Sequence, residues 1–189
     1  MCTQVVMQHS ELRHRYFELS AELVRTYLKR AELWRRTERE QVRSMADQQG
    51  SMPQTVDLLT RQIDDYKAEL DRLCERADAL GARFKLEEIA EQCGLSEAEK
   101  QILLVLLVLD TMPNRPGEGS GIKGAELLRL FYREESEILE ARSLLYSDAR
   151  LRANGLIVVD EYADSVLQST FRIPEEMIRV LLEHDAKEG

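Results

Sequence analysis

One segment constrains this chain more than any other. Val56, Leu59, Ile63, Tyr66, Leu70, Leu73, Ala77, Leu80 and Phe84 follow one another at spacings of three and four without a miss. Alternating steps of this kind define the a and d positions of a heptad repeat, so the run is four heptads along one helical stripe. The intervening positions are mostly Arg, Asp, Glu, Lys and Gln. A stripe this narrow cannot build a globular core alone, so a helix over 55–83 requires a helical partner.

A partner stands directly upstream. Leu12, Tyr16, Leu19, Leu23 and Tyr27 recur at 4-3-4-4 spacing, and Ala31 and Trp34 extend the stripe. No Gly or Pro interrupts residues 11–45, which predicts one helix about 50 Å long with Ser10 as its N-cap. Gly50, Ser51 and Pro53 punctuate residues 47–54 and end it. With so short a turn, an antiparallel helical hairpin is the economical way to cover the seam. The seam by itself equally supports self-association, a homo-oligomer in which two copies pair in parallel.

Past Gly81 and Phe84–Lys85 the pattern changes. Leu86, Ile89, Ala90 and Cys93 predict a short helix closed by Gly94. Ser96-Glu97-Ala98-Glu99 has the form of a capping box and opens an apolar helix to about Leu109. Thr111 to Gly121 holds Pro113, Pro116, Gly117 and Gly119 and predicts a flexible surface loop. Helices follow over about 123–132 and 135–153, the second stopped by Asn154-Gly155. Residues 156–160 and 166–172 then predict an antiparallel strand pair, and Pro174 opens a last helix with Met177, Ile178, Leu181 and Leu182 on its apolar face. The expected fold class is mainly α. A long antiparallel, coiled-coil-like hairpin over 1–84 precedes a winged-helix-like domain over 85–189 with a small β-hairpin wing.

Several stretches of this second part resemble a known family. Leu95-Ser96-Glu97-Ala98-Glu99-Lys100 with Ile102 to Leu107, then Gly124-Ala125-Glu126-Leu127-Leu128, are two of them. Asp148-Ala149-Arg150-Leu151-Arg152-Ala153-Asn154-Gly155-Leu156-Ile157 and Phe171-Arg172-Ile173-Pro174 are the others. Together, over about 85–184, they are similar to the winged-helix domain found before the motor in a group of AAA family ATPases. The resemblance implies the N-terminal adaptor region of such an ATPase, or a partner to one. The motor itself is missing from this sequence. Its phosphate loop requires GxxxxGK[ST] after a strand, whose amides cradle phosphate. The glycine-rich stretch Gly117 to Gly124 has the wrong spacing and no Ser or Thr after Lys123.

Charge bears on the partner. Residues 1–84 carry 14 basic and 14 acidic side chains, whereas 85–189 carry 12 and 21, which accounts for the net charge of −9. An acidic domain repels the phosphate backbone that dominates nucleic-acid affinity, so DNA or RNA is disfavoured as a partner and protein is favoured. The exception is local. Arg25, Lys29, Arg30, Arg35, Arg36, Arg39 and Arg43 on the first helix outnumber Glu32, Glu38 and Glu40 by seven to three. Two accounts compete there: a contact surface for an acidic protein or nucleic acid, or pairing within the helix (Glu32 with Arg36) and with Asp64, Asp65 and Asp71 of the second helix. The candidate partner contacts are Tyr27, Trp34, Arg35, Arg36 and Arg39, with Arg129 in the helix expected over about 123–132, Arg133 just past it, and Tyr162 in the acidic wing turn Glu161–Asp164.

No chemistry-bearing constellation emerges. His9, His14 and His184 lie apart, without HExxH or a Cys/His cluster, so neither a metal nor a cofactor is expected. GxSxG is absent, and the acidic pairs Glu87-Glu88, Glu134-Glu135 and Glu175-Glu176 fit solvated helix faces better than a cleft. Cys2, Cys74 and Cys93 form no CxxC and suit reduced thiols, Cys93 as a core residue. The longest apolar run, Ile102–Leu109, is eight residues against about 20 needed to span a bilayer. No basic segment precedes the brief apolar start, so no signal peptide is expected and a cytoplasmic location follows. These features predict a non-enzymatic interaction or assembly module. The alternative is a winged-helix DNA-binding regulator dimerising through its helices.

Overall fold

The computed structural model describes residues 2–43, 52–111 and 121–182, with side chains over 9–39, 54–111 and 121–182. Helices α1 (Cys2–Arg43) and α2 (Met52–Ala79) pack side by side. Arg15 of α1 reaches Glu69 of α2, while Arg30, four turns further on, reaches Thr60, so the two run antiparallel. The seam is therefore covered within the chain: Ile63, Leu70, Leu73 and Ala77 are buried, facing Leu12, Tyr16, Leu19, Leu23 and Tyr27 in the same core. Its two ends differ from expectation. Val56 and Leu59 are half-buried, and Leu80 is exposed because α2 stops at Ala79 and the chain turns through Gly81. Phe84 is buried, stacked on Tyr16 at 4.1 Å between ring centres.

Both helices begin earlier than the sequence suggests. With no Gly or Pro before it, α1 starts at Cys2, which leaves Ser10 inside the helix and not at its cap. In α2, Pro53 sits in the first turn, where a missing N–H breaks no helical hydrogen bond. The expected breaker at Gly50–Ser51 and the expected loop over 112–120 lie outside the described residues.

Helix α3 (Lys85–Gln92) buries Leu86, Ile89 and Ala90, while Cys93 is only half-buried at its C-cap. Helix α4 (Glu97–Thr111) is central. Every side chain from Gln101 to Leu109 is buried, which is possible only with other elements on all sides. The capping box that opens it is formed. Ser96 N–H donates to Glu99 Oε2 at 2.8 Å, and Glu99 N–H donates to Ser96 Oγ at 3.3 Å. Among the described residues, no helix is long and apolar enough to cross a membrane.

The C-terminal part departs most from the sequence pattern. Ile122–Lys123 form a strand, β1, and helix α5 is short (Gly124–Leu128). The helix expected over 135–153 is broken into α6 (Glu135–Ala141), a 3-10 turn (Arg142–Leu145) and α7 (Arg150–Ala153). Tyr146 and Ala149 take extended backbone between these pieces. The break lets Leu145 and Leu151 both enter the core, each fully buried. It also sends Arg150 to Glu99, 3.3 Å away on α4. Gly155, at φ 66°, ends α7 in the left-handed region that favours glycine.

Strands β2 (Val158–Glu161) and β3 (Thr170–Arg172) follow, and the antiparallel sheet has the order β1-β3-β2, with β2 irregular between Val159 and Glu161. The second strand is shorter than expected because residues 166–169 serve another element. The carbonyls of Leu167 and Ser169 accept the N–H groups of Ala125 and Gly124, which α5 leaves unsatisfied at its start. Helix α8 (Glu175–Leu182) opens after Pro174, packs against α3, and buries Leu181 while Leu182 is exposed. Among the described residues the protein is mainly helical, with one small three-stranded antiparallel sheet. A single cluster of buried apolar side chains runs from the hairpin through α4 to Phe171 and Leu181.

Candidate functional site

Helix α1 carries two kinds of residue in its second half, and the helical repeat separates them. Positions 27, 30, 31 and 34 face inward. Tyr27, Arg30 and Ala31 are buried and Trp34 is half-buried. Tyr27 Oη donates to Gln101 Oε1 of α4 at 3.0 Å, and its ring meets Phe131 edge-on at 5.1 Å. Burial raises its phenol above the ordinary range. Tyr27 is thus a core residue joining α1 to α4, and it drops out of the candidate surface contacts.

Arg30 is the unusual member. Its guanidinium lies 4.5 Å from the Trp34 ring centre and 5.3 Å from that of Tyr27. Nη2 donates to the Leu130 carbonyl at 3.0 Å, in the turn after α5, and Nη1 makes a long contact of 3.5 Å with Thr60. Nε is buried without a hydrogen-bond partner, and no carboxylate of the described residues forms an ion pair with the group. Burial lowers its pKa accordingly. Stacking on two aromatic faces offsets part of that cost.

The outward positions behave differently. Arg36 pairs with Glu32 at 2.7 Å, as the intrahelical account expects, and Arg25 pairs with Glu22. Between the two helices Arg15 pairs with Glu69, and of the expected Asp64, Asp65 and Asp71 it is Asp64 that acts on the basic cluster, through its charge on Arg30 and without an ion-pair contact. Arg35 and Arg39 are exposed and, among the described residues, have no ionic partner. Arg129 and Arg133 are exposed on either side of the Leu130–Tyr132 segment that contacts Arg30 and Tyr27. Arg129 lies 3.6 Å from Glu135, and Arg133 has no ionic partner among the described residues. The structure therefore places Trp34 against Arg30, Arg129 and Arg133 next in sequence to the segment that touches Arg30 and Tyr27, and Arg35 and Arg39 on the outward face of α1. Tyr162 sits elsewhere, 79% exposed beyond the end of β2, with exposed Asp160, Glu161 and Asp164 as neighbours in sequence.

A second polar network links the hairpin to the rest of the fold. Tyr16 Oη donates to Glu87 Oε1 at 3.0 Å, and Lys100 Nζ reaches Glu87 and Glu97, each at 3.2 Å. Burial and the Glu87 carboxylate push the nearby Cys74 thiol up to about 12. A thiol held in that range is protonated and a poor nucleophile at neutral pH.

Comparison with protein-family models, curated proteins and solved structures yields no match to this chain.

Residues that the sequence pattern did not single out complete the region. Lys67, Gln101, Phe131 and Tyr132 join Tyr27 and Arg30 around one cavity. Arg30 alone left a trace in the sequence. It lies three residues after Tyr27 and four before Trp34, on the apolar stripe and not opposite it.

Proposed function

We propose that this chain is a protein–protein interaction or assembly module that presents the second half of α1 to an acidic surface on its partner. The observation that carries the reading is the pair Arg35 and Arg39: exposed, without ionic partners among the described residues, and fixed on a helix whose inner face is anchored through Tyr27 and Arg30. Arginines held on a rigid element lose little freedom on pairing and recognise carboxylates in bidentate fashion. Half-buried Trp34 supplies apolar area beside them. The likeness of residues 85–184 to the winged helix of AAA ATPases makes such an ATPase, or a component of a large assembly that it serves, the partner of choice. Order and sheet support that likeness, since short helices are followed by a strand pair and a last helix.

The test is affinity purification of the tagged chain from native lysate treated with nuclease, run beside Arg35→Glu/Arg39→Glu. An ATPase or assembly component that co-purifies with the parent chain and is lost from the double variant is the expected result. Binding of the purified chain to duplex DNA, falling steeply with salt, would overturn the reading in favour of a winged-helix regulator.

A further inference from the structure

Buried arginines ordinarily pair with a carboxylate, because an unpaired charge taken out of water is costly. Arg30 has no carboxylate of the described residues within ion-pair distance, although Asp64 acts on it from further away. Arg30 is 93% buried, with one carbonyl, one long hydroxyl contact and two aromatic faces around it, and its Nε has no partner. It also lines a cavity of about 330 Å³ between α1, α2, α4 and the turn after α5.

The chemistry of the walls is specific. A second cation, Lys67, lies 5.9 Å from the centre of the same Tyr27 ring that Arg30 approaches. Phe131, Tyr132 and Ile102 supply apolar and aromatic surface. Two carboxylates also line the cavity; neither forms an ion pair with Arg30, and Asp64 favours its charge from a longer distance. Glu97 pairs with Lys100 at 3.2 Å and accepts from Gln101 Nε2 at 2.8 Å, while Asp64 is exposed to water. Two cations against aromatic walls suit an anion carried on a flat apolar body.

We infer that this cavity is a binding site for a carboxylate joined to a planar apolar group, with Arg30 and Lys67 taking the carboxylate and Phe131 and Tyr132 the ring. Two sources offer that chemistry: a free aryl-alkyl carboxylate, and the C-terminus of a polypeptide ending in an aromatic residue. The inference is independent of the partner surface proposed at Arg35 and Arg39, which lies on the solvent face of α1.

The chain carries its own reporter. Trp34 is the sole tryptophan and stands 4.5 Å from the Arg30 guanidinium. Titration of the purified full chain with 3-phenylpropionate, and separately with N-acetyl-glycyl-phenylalanine, is followed by Trp34 emission at constant ionic strength. Phenylethylamine serves as the cationic control. A saturable change with either acid and none with the amine is expected. Tighter binding of the dipeptide identifies a polypeptide terminus as the source, and tighter binding of the free acid identifies a small molecule. Arg30→Met weakens binding by at least about tenfold. Lys67→Met, at a half-buried position on the rim, weakens it by about threefold or more and guards against a misfolded Arg30 variant, whose far-UV spectrum is checked alongside. No saturable response to either acid below about 10 mM, an equal response to the amine, or full binding by Lys67→Met and by a folded Arg30→Met overturns the inference.

Discussion

Replacing Tyr27 by Phe removes one oxygen from the junction of α1 and α4 and leaves the ring in place. Tyr27 Oη donates to Gln101 Oε1 at 3.0 Å, and the two side chains are 2% and 8% exposed. Gln101 Nε2 is committed to Glu97 Oε1 at 2.8 Å, so the amide cannot turn to seek a new donor without losing that bond. The lost hydrogen bond contributes about 1 kcal/mol, and the acceptor stranded in the core adds a desolvation cost, for a total of about 1–3 kcal/mol. In a chain of this size that lowers Tm by about 2–12 °C. Adding Gln101→Leu removes the stranded acceptor, while Glu97 loses little because it is exposed. The double variant is therefore expected within about 1 kcal/mol of the parent chain, well short of the sum of the two single losses. Urea unfolding, followed by far-UV circular dichroism and by Trp34 emission, measures all four corners of the cycle. Because one apolar cluster spans hairpin and C-terminal part, both probes are expected to give the same midpoint. A loss below about 0.3 kcal/mol for Tyr27→Phe, or simple additivity in the cycle, would refute the accounting. A Trp34 transition at lower urea than the dichroism would refute the single cooperative unit.

Three further outcomes follow from the geometry. Burial pushes the Glu99 carboxyl up, but the Ser96 N–H and O–H and then Arg150 outweigh it and hold the group below its ordinary value. Its stabilising share is thus present above the unfolded carboxylate pKa of about 4.3 and is lost as pH falls through the lower folded value. Acid titration of stability should show this loss in the parent chain and a shallower slope in Glu99→Gln. Gly124→Ala places a Cβ 2.5 Å from the Val166 carbonyl and 3.1 Å from Phe171, between α5 and the 166–169 segment. The substitution is expected to cost about 1–3 kcal/mol by urea unfolding, or to reduce soluble yield. Cys74, its thiol pushed up to about 12, is expected to react with iodoacetamide at neutral pH far more slowly in the folded chain than in urea, as read by peptide mass spectrometry.

The elements legible in the sequence are those set by near neighbours. Alternating steps of three and four put Ile63, Leu70, Leu73 and Ala77 on one side of a helix before any tertiary contact exists, so the seam and its hairpin were readable. Ser96 and Glu99 form their capping box within one turn, and Asn154-Gly155 stops α7 through one left-handed residue. Tertiary contacts decided the rest. Residues 135–153 lack Gly and Pro and read as one helix, yet the core offers places for Leu145 and Leu151 that a continuous helix does not fill, and Glu99 offers a partner to Arg150. Ile122–Lys123 pair with Thr170 and Phe171 some 48 residues away, a contact that no local pattern announces. The same is true of the candidate site. Sequence placed Arg30 in a basic cluster with Arg35 and Arg39, and charge alone cannot separate them. Only when α4 and the turn at Leu130 close over one face of α1 does Arg30 become a buried cation lining a cavity, while Arg35 and Arg39, about 140° and about 180° away around the helix, stay in water.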